Sequence, residues 1–224
     1  MTRESAAADG RGGLTRERAI VAANTALLVV DVQNYCAVIG QGEHADITAD
    51  SIPPDHRYYF DRIGSHVLPN IRRLQDGFRA NGVEVMFTVI ENLTRDGRDR
   101  SLDYKISGIG VPKGSADAEV VAAIAPTADE IIIPKTASSV FNATNIDYVL
   151  RNLEVDYLVI VGLLTDQCVE SVVRDACDRG FLVTLVEDAC GTYSQQRHDA
   201  TLKAIKGYCR IRQTDDVLAE LGPA

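Results

Sequence analysis

The chain has 224 residues, of which 46% are hydrophobic and 25% charged, and its formal net charge is −9 at pH 7. This composition is typical of a globular protein of one domain, and the acidic balance argues against nucleic-acid or membrane surfaces, which select basic patches. No apolar run reaches the 18 residues of a membrane-spanning helix, and no apolar segment typical of a secretory signal follows the N-terminal charges.

The five cysteines are an odd number and include no C-x-x-C pair. This pattern favours free thiols in a reducing cytoplasm over a disulfide framework or a structural zinc site. We therefore expect a cytoplasmic protein without a structural metal.

The first 20 residues are polar, charged and rich in Gly and Ala, and we interpret them as a flexible arm before a single domain, residues 21–224. Residues 25–30 form a continuous apolar run, typical of a strand buried on both faces. The run ends at Asp31, although Asp is a poor strand former. A carboxylate at this position indicates either a cap of the next turn or a general base.

A long connection follows, and its His44 is more typical of a solvated loop histidine than of a ligand. Apolar residues at helical spacing then predict an amphipathic helix over 55–80, with a kink or local break at Pro69. The next apolar run, 83–90, predicts a second strand, which again ends at a carboxylate, Glu91.

Strands and helices continue to alternate through the second half of the chain. Ser115 is expected to cap a short helix that ends before Pro126. A third buried strand, 129–133, leads to Lys135. Further strands are predicted over 157–161, 181–186 and 208–212, and further helices over 145–152, 195–206 and 215–221.

One cysteine lies in the stretch from Tyr157 to Gly180, where a buried strand leads into an amphipathic helix. Thr165 or Asp166 can cap this helix, and Cys168 falls in its first turn. Free N–H groups and the helix dipole there lower a thiol pKa from about 8.5 into a reactive range. The alternative is that Cys168 merely packs in the core.

This alternation predicts a Rossmann-like, three-layer α/β/α fold around a central, mainly parallel six-stranded sheet. The carboxyl ends of parallel strands share one edge, and Asp31, Lys135 and Cys168 each lie at or just past such an end. If the strand order reverses near the middle, the three side chains would share a pocket. An ammonium stabilises a thiolate, and a carboxylate can carry its proton to a leaving amine.

Three segments resemble the isochorismatase-like cysteine hydrolases. They are VVDVQN with Asp31, PKTASSVFNATNIDYVLR with Lys135, and VIVGLLTDQCVESVVRDACDRG with Cys168. The last is close to the G-x-x-T-x-x-C-V pattern of that superfamily, and the resemblance runs from about residue 26 to residue 220. It implies a catalytic triad of Asp31, Lys135 and Cys168 and a covalent thioester-type intermediate.

The resemblance also implies a non-proline cis peptide between Leu163 and Leu164, and an oxyanion hole formed by the backbone N–H groups of Leu164 and Cys168. Nicotinamidases of this superfamily carry an Asp-x-His metal motif after the first strand, which is missing here, so we expect no catalytic metal and no cofactor. Isochorismatases lack the nucleophilic cysteine, so Cys168 favours the amidase side, nearest the ureidoacrylate and biuret-type enzymes.

Four residues are candidates for substrate binding. The segment TVIENL resembles that of ureido and biuret amidases, in which a carboxylate binds urea-type N–H groups, and Glu91 is our choice for that role. Three aromatic side chains are further candidates for the pocket wall, with core packing as the alternative for each: Tyr35, Tyr104 and Phe141.

The sequence therefore predicts a metal-independent cysteine amidohydrolase that releases ammonia from a small amide, carbamoyl or ureido compound. The alternatives are a non-catalytic, small-ligand-binding member of the fold and an isochorismatase-type ether hydrolase. We expect a homo-oligomer, a dimer or tetramer, as the family often forms, and no nucleic-acid or membrane partner. The long loops 34–54 and 91–113 are expected to select the substrate, which the sequence does not identify.

Overall fold

The computed structural model describes residues 15–222, and within them six strands form one sheet. The strands are β1 (Thr25–Val30), β2 (Glu84–Ile90), β3 (Ile131–Lys135), β4 (Tyr157–Leu163), β5 (Leu182–Gly191) and β6 (Arg210–Arg212). Every neighbouring pair is parallel, and the spatial order is β3-β2-β1-β4-β5-β6. The predicted parallel six-stranded sheet is confirmed, and the strand order reverses between β1 and β4, the position at which open α/β sheets bind ligands.

Helices occupy most of the connections between strands. The α-helices are α1 (Asn34–Ala37), α2 (Pro54–Arg62), α3 (Leu68–Ala80), α4 (Leu102–Ile106), α5 (Val140–Ala143), α6 (Ile146–Asn152), α7 (Glu170–Asp178), α8 (Gln195–Ile205) and α9 (Thr214–Leu221). Shorter 3-10 turns lie at Ala22–Asn24, Gly42–His44, Ala116–Ala118 and Ala122–Ile124, and π-helical turns lie at Ile63–Val67 and Thr165–Val169.

The central strand β1 is buried on both faces of the sheet. Leu27 and Val29 belong to an apolar cluster on one face, and Leu28 and Val30 belong to a second cluster on the other. Because successive side chains of a strand point to opposite faces, an uninterrupted apolar run is what a strand with helices on both sides requires. The result is the three-layer arrangement that the sequence predicts.

The helix predicted over residues 55–80 is continuous in direction but not in hydrogen bonding. α2 ends at Arg62, a π-helical turn covers Ile63–Val67, and α3 begins at Leu68. The Leu68 N–H donates to the carbonyl of Ile63, five residues back. Pro69 follows directly and has no N–H to donate, so the irregularity predicted at this proline takes the form of a widened turn.

The helix expected after Ser115 does not form. The N–H of Asn34 donates to the carbonyl of Glu119 at 2.9 Å, and the N–H of Val121 donates to the carbonyl of Val32 at 3.1 Å. These backbone groups are therefore unavailable to a helix, and two 3-10 turns stand on either side of them. The Ser115 side chain makes no cap hydrogen bond.

Residues 1–14 of the predicted arm lie outside the described residues. After them, Ile20 is buried, and its N–H donates to a Glu220 carboxylate oxygen at 3.1 Å. Glu17 pairs with Arg212 at 2.7 Å. Between residues 15 and 222, no helix combines the length and the apolar character that crossing a membrane demands.

Candidate active site

Asp31 follows β1 at the reversal point of the sheet and is almost completely buried. Its φ is +54°, a left-handed conformation that Asp tolerates better than most residues and that is enriched at functional sites. The Asp31 N–H donates to the carbonyl of Thr88 at 3.1 Å, and the Thr88 hydroxyl donates to Oδ1 of Asp31 at 2.7 Å. The neighbouring strand β2 therefore fixes the orientation of the carboxylate.

Lys135 is the last residue of the edge strand β3, yet its side chain is fully buried in the middle of the site. Its Nζ lies 2.8 Å from Oδ2 of Asp31, 2.9 Å from the carbonyl oxygen of Ala137, 3.1 Å from the Tyr104 hydroxyl and 3.4 Å from Sγ of Cys168. The sequence argument placed the three side chains in one pocket if the strand order reverses near the middle. The order does reverse there, but β3 lies at the edge, and Lys135 reaches Asp31 because its long side chain spans the intervening strand.

Cys168 lies in the π-helical turn that precedes α7, immediately beyond the carboxyl end of β4. The helix cap expected from Thr165 or Asp166 is absent, because both side chains bind residues of and around α8 instead. The Thr165 hydroxyl is 3.0 Å from Nδ1 of His198, and Asp166 pairs with Arg197. These contacts tie the turn that carries Cys168 to the rest of the fold.

The resting protonation state of the site differs from the sequence expectation. Burial and then the carboxylate of Asp31 raise the pKa of Cys168, and Lys135 opposes them, so that the pKa is about 12. Burial lowers the pKa of Lys135, but the charges of Asp31 and Cys168 outweigh it, so the pKa is raised. This direction is opposite to the reactive-range pKa that the sequence predicts for Cys168, and it favours a neutral thiol in the resting site.

A cavity of about 480 Å³ opens onto this group and is lined by both Asp31 and Cys168. Its volume falls within the range of small-molecule sites. The rest of its wall includes Leu163, Leu164, Gln167, Tyr35, Tyr104, Tyr193, Glu43 and Asp103.

The four predicted substrate-binding residues divide into two pairs. Tyr35 and Tyr104 line the cavity, whereas Glu91 and Phe141 are not among its lining residues. Glu91 turns away because its carboxylate accepts the Gly114 N–H at 2.7 Å. Phe141 is buried against Phe181, with ring centroids 5.8 Å apart, and belongs to the apolar core. The structure thus corrects the placement of Glu91 and Phe141.

Glu43, Asp103 and Tyr193 line the cavity, and the sequence argument missed all three. Glu43 follows Gly42, where an added Cβ would come within 2.2 Å of the Tyr35 carbonyl oxygen at a φ of +49°. The glycine allows the loop to approach Tyr35 closely enough to bring Glu43 to the cavity. This glycine beside an acidic residue in a long loop was the available signal.

Two histidines are buried, one of which, His44, was predicted to be solvated. His44 lies against the ring of Phe60, with centroids 4.9 Å apart. His198 Nε2 lies 3.0 Å from an Arg62 guanidinium nitrogen, and its Nδ1 lies 3.0 Å from the Thr165 hydroxyl. Because a guanidinium only donates, Nε2 accepts and Nδ1 carries the proton of a neutral imidazole. Burial and then Arg62 lower the pKa of His198 to about 4.

The connection from β4 to Cys168 depends on a glycine. Gly162 has φ +123°, and a Cβ there would lie 2.1 Å from the carbonyl oxygen of Val30. The register between β4 and β5 shifts at this point. The peptide bond between Leu163 and Leu164 is cis, at the position named from the resemblance.

Within residues 15–222, no group of three or more potential metal ligands is gathered in one place.

Comparison with known proteins finds relatives with names and a matching family profile. Residues 25–216 match the family profile described as "Isochorismatase domain". Ureidoacrylate amidohydrolase RutB of Rhizobium rhizogenes is 31% identical over 182 residues, which cover 74% of this chain and 69% of the relative. N-carbamoylsarcosine amidase of an Arthrobacter species is 29% identical over 153 residues, which cover 66% of this chain and 58% of the relative.

The fold is shared with a solved cysteine hydrolase from Pseudomonas syringae pv. phaseolicola. The TM-score is 0.75 at 23% sequence identity, and the superposition covers 92% of this chain and 95% of the other.

Proposed function

Because this chain belongs to the isochorismatase family, we propose that it is a cysteine amidohydrolase that cleaves the C–N bond of a small amide, carbamoyl or ureido compound. The names of two relatives, ureidoacrylate amidohydrolase and N-carbamoylsarcosine amidase, support this reaction class. In this proposal Cys168 is the nucleophile and Asp31 carries the proton. Lys135 stabilises the negative charge of the Asp31 carboxylate and of the Cys168 thiolate.

The first step moves one proton and forms one bond. Asp31 takes the proton of the Cys168 thiol as the sulfur approaches the substrate carbonyl carbon, so that the thiolate exists only during the attack. Asp31 suits this role because it lines the cavity together with Cys168, and its Oδ2, which pairs with Nζ of Lys135 at 2.8 Å, accepts no hydrogen bond from any other described residue. Lys135, 3.4 Å from Sγ, stabilises the negative charge on sulfur.

The carbonyl oxygen becomes negatively charged as the S–C bond forms. Leu164 and Cys168 both line the cavity, and their backbone N–H groups are the proposed donors to this oxygen. Two such donors in a site shielded from water stabilise a tetrahedral intermediate more than water does. The C–N bond then breaks, and Asp31 returns its proton to the leaving nitrogen, which departs as ammonia or an amine.

Water completes the cycle. Asp31, again a carboxylate, takes a proton from a water molecule that attacks the thioester carbonyl. The C–S bond breaks, and the proton returns to sulfur. The product is a carboxylic acid from an amide, or a carbamic acid from a urea, and the carbamic acid decomposes to an amine and carbon dioxide.

A single observation carries this proposal. The Nζ of Lys135 contacts both the Asp31 carboxylate and the Cys168 sulfur, at 2.8 and 3.4 Å, with all three side chains buried at the cavity. Burying an ammonium at a thiol and a carboxylate costs desolvation energy that a purely structural site would avoid. Perturbed ionisable groups gathered in a cleft are typical of catalysis.

The test is ammonia release from a panel of amides, carbamoyl compounds and ureas, with Cys168→Ala compared with wild type. We expect turnover by the wild type and none by Cys168→Ala. Cys177→Ala is the matched control, because Cys177 lies on α7 and does not line the cavity. It should retain wild-type turnover. Ammonia release by Cys168→Ala at the wild-type rate would refute the nucleophile assignment.

A further inference from the structure

The cavity contains more acidic than basic side chains. Three carboxylates line it, those of Asp31, Glu43 and Asp103. Across residues 15–222, no arginine or lysine belongs to its lining. Lys135 touches the site from beneath, but its charge is matched by Asp31 at 2.8 Å. Glu43 and Asp103 are therefore the two carboxylates that no lysine or arginine of the described lining offsets.

Two arginines close to lining residues have other partners. Arg197 pairs with Asp166 at 2.5 Å, and its guanidinium lies over the ring of Tyr193, 5.7 Å from the ring centroid. Arg100 donates to the carbonyl oxygens of Gly97 and Ile109, at 3.0 and 2.8 Å. Neither is part of the cavity lining, so neither offers an anion a direct contact there.

Glu43 is held beside aromatic rings. The close approach of Gly42 to the Tyr35 backbone fixes the start of its loop, and a third of the Glu43 side chain remains exposed, at 33%. Tyr35 and Tyr193 line the same cavity. A carboxylate next to aromatic rings is a recognised environment for ammonium groups, through charge and through the negative faces of the rings.

We propose that the substrate is a cation, namely an amide or ureido compound that carries an ammonium group, which Glu43, Asp103 and the rings of Tyr35 and Tyr193 bind. This inference rests on the proposed function and narrows it. It separates this chain from ureidoacrylate and N-carbamoylsarcosine, which are carboxylate anions at neutral pH. A substrate carboxylate in a cavity lined by Glu43 and Asp103 would be repelled and would lose its hydration without a cationic partner.

The charge of Glu43 depends on its neighbours. Burial raises its pKa to about 7, and His56 acts in the opposite direction. His44 lies 3.6 Å from the carboxylate, and burial lowers the pKa of His44. Burial and then Glu43 raise the pKa values of Tyr35 and Tyr193, so both phenols are neutral near pH 7. An ammonium ligand would hold Glu43 in its charged form.

The test uses three ureas of similar size that release ammonia from the same carbamoyl group: aminopropylurea (a cation), hydroxypropylurea (neutral) and ureidopropionate (an anion). We expect kcat/KM to fall in that order by at least about tenfold at each step, as for hydrogen bonds to charged groups. Glu43→Gln should reduce kcat/KM for the cation by about tenfold or more and leave the neutral urea within about threefold.

The matched control is Glu119→Gln, which removes the same charge from an exposed position outside the cavity lining. It should leave the ratio between the cation and the anion unchanged. An anion hydrolysed as well as the cation, or a ratio unaffected by Glu43→Gln, would overturn the inference. The proposed function would survive either result.

A second readout needs no turnover. Cationic, neutral and anionic methanethiosulfonates of similar size are compared for their rates of reaction with Cys168, located by peptide mass mapping because Cys36 also lines the cavity. The cationic reagent should react at least about tenfold faster than the anionic one, relative to free cysteine. Preference for the cationic reagent without ammonia release from any substrate would support the charge inference and refute the proposed hydrolase function. Equal rates, or no reaction at Cys168, would overturn the inference.

Discussion

Asp31→Asn should make Cys168 more reactive towards alkylating agents while it abolishes hydrolysis. The Asp31 carboxylate raises the pKa of the buried thiol, and Lys135 lowers it. Removal of the carboxylate leaves the ammonium as the nearest charge, so the pKa of Cys168 should fall. Hydrolysis should be lost because no group remains to carry the proton, an effect of at least about 100-fold for a general acid–base.

The size of the pKa change follows from two distances. Oδ2 of Asp31 lies 2.8 Å from Nζ of Lys135, and Sγ of Cys168 lies 3.4 Å from it, so the carboxylate oxygen is at most about 6.2 Å from the sulfur. Two unit charges at that separation interact by about 2.7 kcal/mol at an effective dielectric constant of about 20, which is roughly two pKa units. The thiolate of a more acidic thiol is a weaker nucleophile, so the net gain in alkylation rate is about tenfold.

The assay is alkylation by iodoacetamide at pH 8, with the modified cysteine located by peptide mass mapping. Thermal melting confirms that each variant is folded at the assay temperature. Asp103→Asn is the matched control, because Asp103 is an exposed carboxylate of the same cavity. It should change the rate by less than about threefold. Alkylation of Cys168 that is slower than in the wild type, or unchanged, in Asp31→Asn would refute the charge assignment.

Three further predictions concern the scaffold and the cavity. Gly162→Ala should unfold the protein or destabilise it by about 3 kcal/mol or more, measured by urea titration, because a Cβ would lie 2.1 Å from the Val30 carbonyl oxygen. The control Gly207→Ala, at a position with open space around it, should change the stability by less than about 1 kcal/mol. The preference for the cationic over the neutral urea should grow as pH rises from 6 to 8, because Glu43 has a pKa of about 7 and is charged above it; a preference that shrinks over this range would contradict the role of Glu43. His198 has a pKa of about 4 in the folded protein, below its ordinary value, so the unfolded chain binds more protons between about pH 6.5 and 4 and the stability of the fold decreases as the pH falls through this window. His198→Gln should remove up to about 3 kcal/mol of this pH dependence, measured by urea titration at each pH. A pH dependence unchanged from that of the wild type would contradict this prediction.

The centre of the sheet was predictable because β1 and β4 are almost entirely apolar. A strand with helices on both faces cannot alternate polar and apolar residues, so runs such as 25–30 and 157–161 mark buried parallel strands directly. The ends of strands were less accurate. The predicted third strand, 129–133, is shifted to Ile131–Lys135, because pairing with β2 rather than local composition determines where the strand begins.

The meeting of Asp31, Lys135 and Cys168 was only partly predictable from the residues. Their positions near strand ends placed them on one edge of the sheet, but the distances between them depend on strand order and on side-chain reach. Lys135 reaches Asp31 from the edge of the sheet, which a rule based on neighbouring strands does not anticipate. Their assignment as catalytic residues stays a prediction.

Cavity residues in loops were the hardest to predict. Glu91 follows a strand and was an attractive choice, yet a backbone N–H of Gly114 captures its carboxylate. Glu43 is distant from every strand end and reaches the cavity because Gly42 packs on the Tyr35 backbone. Such contacts join residues whose pairing leaves no local pattern in the sequence.

The burial of some polar side chains was hard to predict for a similar reason. His198 lies on α8 among polar neighbours, so its position in the sequence indicates solvent exposure. Its burial depends on Arg62 from the distant helix α2 and on Thr165 next to the site. Only the assembled fold brings these three residues together.

The central claim is that the Cys168 sulfur forms a covalent bond with the substrate carbonyl carbon. The most direct measurement is mass spectrometry of enzyme quenched with acid during steady-state turnover, followed by peptide mapping. The account predicts an acyl or carbamoyl adduct on the peptide that contains Cys168, formed as fast as ammonia is released and missing in Cys168→Ala. Full turnover with an unmodified Cys168 under rapid quenching, or an adduct on another residue, would contradict it.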